Sequence, residues 1–340
     1  MTNSNSVERI FGDSTDPYII AEAGVNYLGR IDLAKVFIEE AAAAGADAIK
    51  FQTHISEAEM SASGMESLDM GDLYERMSEQ ELSIEDHRTL QQYCRSNGID
   101  FLSTPFSAEA VKLLDEVDTP AYKIGSGEVT NYHVLRTAAE TGKPLLVSTG
   151  MHPMSAIENA ADFIDQYTDR VAFFYCVSEY PTPIGNVNLG AIQEMKEALD
   201  APIGFSDHTQ GIEASVVALA QGADIIEKHF TIDRRLPGGD QEVSIEPDEL
   251  QELVEYADVV VKTSGDRVPP TETEAEIAEW ARHSIVSKTA IPQGTELTES
   301  NITTKRPGTG IPASEFYDVL GETTTTRIEA DCVIDRTDLV

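Results

Sequence analysis

The sequence predicts an α/β chain in which a (β/α)8 barrel is followed by a small β-rich module, and three observations predict it. Eight short apolar runs alternate with helical stretches between residue 18 and about residue 263. Polar and charged residues recur at or just beyond the ends of those runs, on the rim where a barrel assembles its active site. After Lys262 the pattern changes to short β-like segments separated by turns, as in SIVSKTAIPQG and ITTKRPGTGIP.

In chain order, the strand-like runs are 18–23, 48–51, 100–102, 121–124, 145–147, 171–175, 203–205 and 224–226. Helical periodicity marks 33–44, 84–96, 108–116, 134–141, 156–167 and 189–199 between them. A further helix follows Ser206, with Ile212, Val216, Leu219 and Ala220 on one face and Gly222 placed to end it. A doubly wound open sheet would alternate in the same way, but no G-x-G-x-x-G follows the first run. Two longer connections, 54–82 and 230–246, are expected to form lids over the mouth. The stretch 263–274 is rich in Pro, Thr and charge. The expected organisation is a catalytic barrel at 1–263, a linker at 264–283 and a module at 284–340.

Charge narrows the function. The chain carries 24 Lys and Arg against 60 Asp and Glu, a net −36, with the carboxylates spread along its whole length. Nucleic acid is excluded as a partner by repulsion from its phosphates. A surface this acidic suggests adaptation to concentrated salt, which screens the carboxylates from one another. No apolar run is long enough to cross a bilayer, and MTNSNSVERIFGDSTDP lacks the apolar core of a secretory signal. The three cysteines, Cys94, Cys176 and Cys332, have neither disulfide nor metal-ligand spacing and fit a reducing cytoplasm.

The chemistry lies at the run ends. His208 and His229 each follow a run, 21 residues apart by number (229 − 208), about one loop–helix–loop–strand unit. One such histidine would be an ordinary loop residue. Two at equivalent ends of parallel neighbours, about 4.8 Å apart, can share a metal ion. With only two histidines, water, carboxylate or substrate oxygen must complete the sphere, which favours Mn²⁺ or Mg²⁺ over structural Zn²⁺. Lys50 and Lys123 stand at other run ends among the hydroxyls of Thr104, Ser126, Ser148 and Ser206, suiting an anionic, phosphorylated ligand. Glu22, Glu128 and Asp240 are carboxylates able to act as acid or base or to hold sugar hydroxyls. The residues alone point to a divalent-metal barrel enzyme acting on a phosphorylated, oxygen-rich small molecule.

Taken in order, AEAGVN (21–26), IKFQTHISEAEMS (49–61), FLSTPFS (101–107), AYKIGSGE (121–128), KPLLVSTGM (143–151), YPTP (180–183), GFSDHTQG (204–211), IEKHFT (226–231) and KRPGTGI (305–311) resemble the motifs of the sialic acid synthase family. That family includes N-acetylneuraminate, legionaminate and pseudaminate synthases. The resemblance implies a TIM barrel with a C-terminal antifreeze-like (SAF) domain, in a cytoplasmic, domain-swapped homodimer. It also implies condensation of phosphoenolpyruvate with N-acetylmannosamine or a related N-acetylated hexose, releasing a nine-carbon 2-keto sugar acid and phosphate. A synthase using a diacetamido-dideoxy hexose or a phosphorylated aldose, or a catalytically silent sugar-binding barrel, are the other readings. By resemblance, Lys50, Thr104, Lys123, Ser126, Ser148, Ser178 and Ser206 hold phosphoenolpyruvate, and His208 and His229 carry Mn²⁺ or Mg²⁺. Glu22, Gln52, Tyr180 and Asp240 face the sugar, and Arg306 reaches its N-acyl group from the partner subunit. Glu128 is the expected proton acceptor. The chain departs from the family pattern at Tyr27 and Leu28, at Ser178 and in the lid sequence PGGDQEVS, all on the expected sugar side or at the phosphoenolpyruvate contact.

Overall fold

The computed structural model describes residues 7–12, 14–265 and 268–340. Residues 1–6 and 13 of the N-terminal stretch and residues 266 and 267 of the expected linker lie outside the described residues. The chain divides into two compact units that part between Ser264 and Gly265.

The first unit opens with β1 (Tyr18–Gly24), α1 (Ile31–Ala43) and β2 (Ala48–Thr53). Three short helices follow, α2 (Ser56–Glu59), α3 (Ala62–Ser67) and α4 (Gly71–Glu79), before α5 (Ile84–Asn97). Next come β3 (Asp100–Pro105), α6 (Ala108–Val117), β4 (Tyr122–Ile124), α7 (Tyr132–Ala139), β5 (Leu145–Ser148) and α8 (Met154–Asp165). The unit ends with β6 (Val171–Cys176), α9 (Gly190–Ala198), β7 (Ile203–Asp207), α10 (Glu213–Ala220), β8 (Ile225–His229) and α11 (Pro247–Thr263). The eight strands close a parallel barrel in sequence order, β8 pairing back onto β1. The local signals agree with the fold. α5 starts in a Ser83–Asp86 capping box and stops at Gly98 in the left-handed region.

Side-chain alternation divides the barrel into layers. Tyr18, Ile20, Ala48, Leu102, Ala121, Leu146, Ala172, Phe174 and Ile225 fill the lower interior, and Val7, from a short N-terminal 3-10 turn, packs with them. Gly204 belongs to the same level: a Cβ there would meet Phe174 Cδ1 at 2.8 Å and Ile225 at 2.9 Å. One step up, the inward positions become Glu22, Lys50, Thr104, Lys123, Ser148, Cys176, Ser206 and Glu227. The apolar packing between strands and outer helices is a separate core containing Phe37, Phe51, Phe101, Phe173 and Phe205.

The structure moves the ends of two strands and shows what two connections are made of. β7 and β8 extend to Asp207 and His229, so their polar ends are strand, not loop. Apolarity ends at Phe205 and Ile226 because the next inward side chains face a pocket, not because the chain turns. The lid 54–82 is largely helical. The segment read as a linker contains a helix, α12 (Glu272–Ala281), started by a Thr271–Glu274 capping box.

The second unit pairs β9 (Ser284–Ser287) antiparallel with β10 (Ile302–Lys305) around Ile285, Ile291, Leu297, Ile302, Ile311, Val319, Ile328 and Ile334. Among the described residues, no helix is long and apolar enough to cross a membrane.

Candidate active site

The upper interior opens into a cavity of about 830 Å³. Its lining includes Glu22, Lys50, Gln52, Thr104, Lys123, Ser126, Ser148, Ser178, Tyr180, Ser206, His208, His229 and Asp240. Thirteen residues predicted from sequence therefore meet in one pocket.

The floor is a buried charge cluster. Lys50 Nζ lies 2.7 Å from Glu22 and 3.7 Å from Glu227, and donates to Thr104 Oγ1 at 2.9 Å. Lys123 Nζ lies 3.6 Å from Glu227 and donates to Ser148 Oγ. Ser206 donates to Glu227 at 3.0 Å. Burial favours the neutral form of each group, and partners decide the outcome. Burial works to lower Lys50, but Glu22 and Glu227 outweigh it and hold Lys50 above its ordinary value. Burial lowers Lys123, which Glu227 only partly offsets. Burial would raise Glu227, but Lys123 and Lys50 hold it below its ordinary value. Glu22 goes the other way, pushed by burial up to about 7 despite Lys50.

Beside the lysines is a small cradle at Gly150. A Cβ there would meet Ser178 Oγ at 2.3 Å, Ser126 Oγ at 3.0 Å and Cys176 Sγ at 3.2 Å. Two ammonium groups next to converging hydroxyls form a site for a compact anion.

The two histidine rings stand together, centroids 5.4 Å apart, with Tyr180 against His208 at 4.0 Å and edge-on to His229 at 5.8 Å. His208 Nδ1 is hydrogen-bonded to the Val177 carbonyl at 2.8 Å, which fixes the ring and leaves Nε2 as a ligand atom. His229 Nδ1 is buried without a hydrogen-bond partner, 3.7 Å from Asp240 Oδ2. Burial, then His208, holds His229 well below its ordinary value, so it is the neutral imidazole that binds metals. An orphaned imidazole nitrogen beside a carboxylate and a second, oriented histidine fits a divalent ion. Among the described residues no three His, Cys, Asp or Glu side chains form a ready metal cluster, so solvent or substrate oxygens would have to complete the sphere.

One expected residue of the barrel is not among those lining the pocket. Glu128 is half-buried at the end of a 3-10 turn (Ser126–Glu128), and its carboxylate accepts from Asn131 Nδ2 at 2.6 Å. Glu128 is not among the residues that line the pocket, and its carboxylate contact is to Asn131, so the geometry offers no pocket contact in support of the proton-acceptor expectation. Arg306 is exposed on the second unit, its guanidinium 5.5 Å from the Trp280 ring. Conversely, Glu227, Cys176 and Arg76 line the pocket and were not singled out. For Glu227 the signal existed: a period of two from Ile225 places Glu227 and His229 on the same inward face.

Residues 37–269 match the NeuB family, and residues 282–340 match the SAF domain. The chain is 39% identical over 336 residues to an uncharacterized protein of Methanocaldococcus jannaschii, covering 98% of this chain and 97% of that one. It is 37% identical over 328 residues to N,N'-diacetyllegionaminic acid synthase of Campylobacter jejuni, covering 93% and 98%. Among solved structures, N-acetylneuraminic acid (sialic acid) synthetase of Leptospira borgpetersenii, in complex with citrate, superposes with a TM-score of 0.71. It is 36% identical and covers 77% of this chain and 90% of that one.

Proposed function

This chain belongs to the NeuB family of sialic acid, legionaminate and pseudaminate synthase-type enzymes, and we propose that it condenses phosphoenolpyruvate with an N-acetylated hexose. The acceptor is N-acetylmannosamine or a relative such as a diacetamido-dideoxy hexose, and the products are a nine-carbon 2-keto sugar acid and phosphate. One observation carries the proposal: a single pocket holds two buried lysines ringed by hydroxyls and, beside them, a histidine pair suited to a divalent ion.

In this reading Lys50 and Lys123, with Thr104, Ser126, Ser148, Ser178 and Ser206, bind phosphoenolpyruvate at the floor. Desolvated ammonium groups hold the phosphate and lose little reorganisation energy as it departs. Gln52, Tyr180, Asp240 and Glu22 orient the open-chain sugar above it, bringing its aldehyde carbon to the methylene carbon of phosphoenolpyruvate. His208 and His229 would hold Mn²⁺ or Mg²⁺, which would supply Lewis acidity when bound. The C–C bond forms, water adds at the adjacent carbon, and C–O cleavage releases phosphate. Glu22, near 7, is the residue poised to move a proton at the aldehyde oxygen, the task a catalytic carboxyl with a raised value performs. A homodimer in which Arg306 serves the partner's N-acyl recognition completes the proposal. Phosphate release that requires both a divalent ion and an N-acetylated hexose is the test.

A further inference from the structure

His54 stands one residue past the end of β2, outside the pocket lining, and has no part in the account above. Its side chain is 10% exposed and that of its partner Glu59 is 8% exposed. The ring lies flat against Phe106, centroids 4.5 Å and planes 7° apart, and Phe106 lines the pocket. Nδ1 meets both oxygens of Glu59, at 2.9 and 3.2 Å. Nε2 faces Gln52 Oε1 at 3.2 Å. The other end of that amide donates from Nε2 to Glu22 Oε1 at 3.2 Å, and Glu22 is paired with Lys50. Glu59, His54, Gln52, Glu22 and Lys50 therefore form one continuous line from α2 into the floor of the pocket.

The two ends of a primary amide have nearly the same shape and opposite hydrogen-bonding character. Which end faces which neighbour is decided by those neighbours alone. A stacked aromatic at position 54 would fill the space against Phe106 equally well, but only a ring that donates from Nε2 can hold the Gln52 carbonyl; with Nδ1 also donating to Glu59, that ring is the doubly protonated imidazolium, whose charge Glu59 balances. With the carbonyl held, the amide nitrogen turns to Glu22, and its second N–H is left for an oxygen in the pocket. We propose that His54, held by Glu59, is a positioning residue that sets the polarity of the Gln52 amide and so the donor presented to the acceptor sugar. The identity of that ligand rests on the synthase reading; the amide orientation is a property of the chain itself.

The test uses the full-length protein with ¹⁵N-labelled glutamine, the Gln52 side-chain signals being assigned by their loss in Gln52→Asn. Wild type should give two resolved, slowly exchanging Gln52 N–H signals. His54→Leu should collapse them toward a free amide, and His54→Gln, which can still donate to Gln52 Oε1, should restore them. In steady-state kinetics, His54→Leu should raise KM for the acceptor on the order of tenfold, as loss of an orienting partner does. KM for phosphoenolpyruvate should stay within about twofold, and His54→Gln should recover most of the difference. Unchanged Gln52 signals in His54→Leu overturn the proposal, as does an equal rise in both KM values, the mark of general loosening. A wild type that releases no phosphate, with Gln52 signals that change as described, would sink the synthase reading and support the positioning role.

Discussion

Glu22 and Glu128 show how much one turn of backbone decides. Both are carboxylates beside polar motifs, yet Glu22 ends inward on β1, buried against Lys50, while Glu128 accepts from Asn131, the residue that caps α7. Glu22→Gln should lower turnover by roughly 10²–10⁴. Glu128→Gln should leave turnover within about threefold of wild type, since no contact to the pocket is lost. Steady-state rates for the two variants check this, and the reverse order would return the proton-transfer role to Glu128. Glu22 also predicts a pH dependence of stability. Its folded value, about 7, lies above the ordinary 4.5, so the folded state binds its proton more tightly than the unfolded chain. The resulting stabilisation is complete below about 4.5 and is lost as pH rises through about 7, roughly 3 kcal/mol in all. Urea unfolding should therefore show wild type losing stability relative to Glu22→Gln between pH 5 and 8. A difference that is flat or grows with pH would contradict the assignment. Lys50, Lys123 and the histidine pair were legible in the sequence because a charged residue at the end of an apolar run has few structural excuses. The side-chain direction of Glu128 was not, because a short 3-10 turn leaves no periodicity to read.

At the level of the strand, β7 and β8 carry two kinds of polar side chain on opposite faces. Ser206, Glu227 and His229 face the pocket, while Asp207 and Lys228 form an ion pair, 3.2 Å apart, that is wholly inaccessible to solvent. Asp207 also accepts from Thr209 N at 2.7 Å and Ser215 Oγ at 2.6 Å, and Lys228 donates to the Thr209 carbonyl. Removing one partner leaves a buried charge alone, so Asp207→Asn or Lys228→Met should each cost about 3–5 kcal/mol in urea unfolding. A cost below about 1 kcal/mol would mean that the pair is not buried in solution. The existence and order of the eight strands could be read because each is an apolar run between helices. Their true lengths could not, because a strand that feeds a polar pocket loses its apolar pattern while its backbone pairing continues, as the Asp207–Lys228 register shows. The helical lid 54–82 was hidden for a related reason: α2, α3 and α4 are only four, six and nine residues long and α3 and α4 bury none of their side chains, so none presents the long apolar face by which the outer helices are read.

The whole molecule places its cations and carboxylates unequally. Against a net −36, the floor of the pocket balances Lys50 and Lys123 against Glu22 and Glu227, so it lacks the carboxylate excess of the chain as a whole. The remaining carboxylates repel one another, and at low ionic strength that repulsion reaches well beyond the roughly 8 Å screening length of physiological salt. The thermal midpoint should rise as KCl is raised from dilute buffer to molar concentration, and a midpoint unmoved by salt would contradict salt adaptation. The division into a barrel and a β-rich module was legible from the change in pattern after Lys262, whereas α12 was masked by the Pro- and Thr-rich composition around it. The central claim is tested most directly by phosphate release from phosphoenolpyruvate, measured at high salt with Mn²⁺ across a panel of N-acetylated hexoses. The account predicts release that needs both the ion and one of the sugars, and that disappears on chelation. Release that is indifferent to sugar and ion, or no release by folded protein with any acceptor, would contradict it.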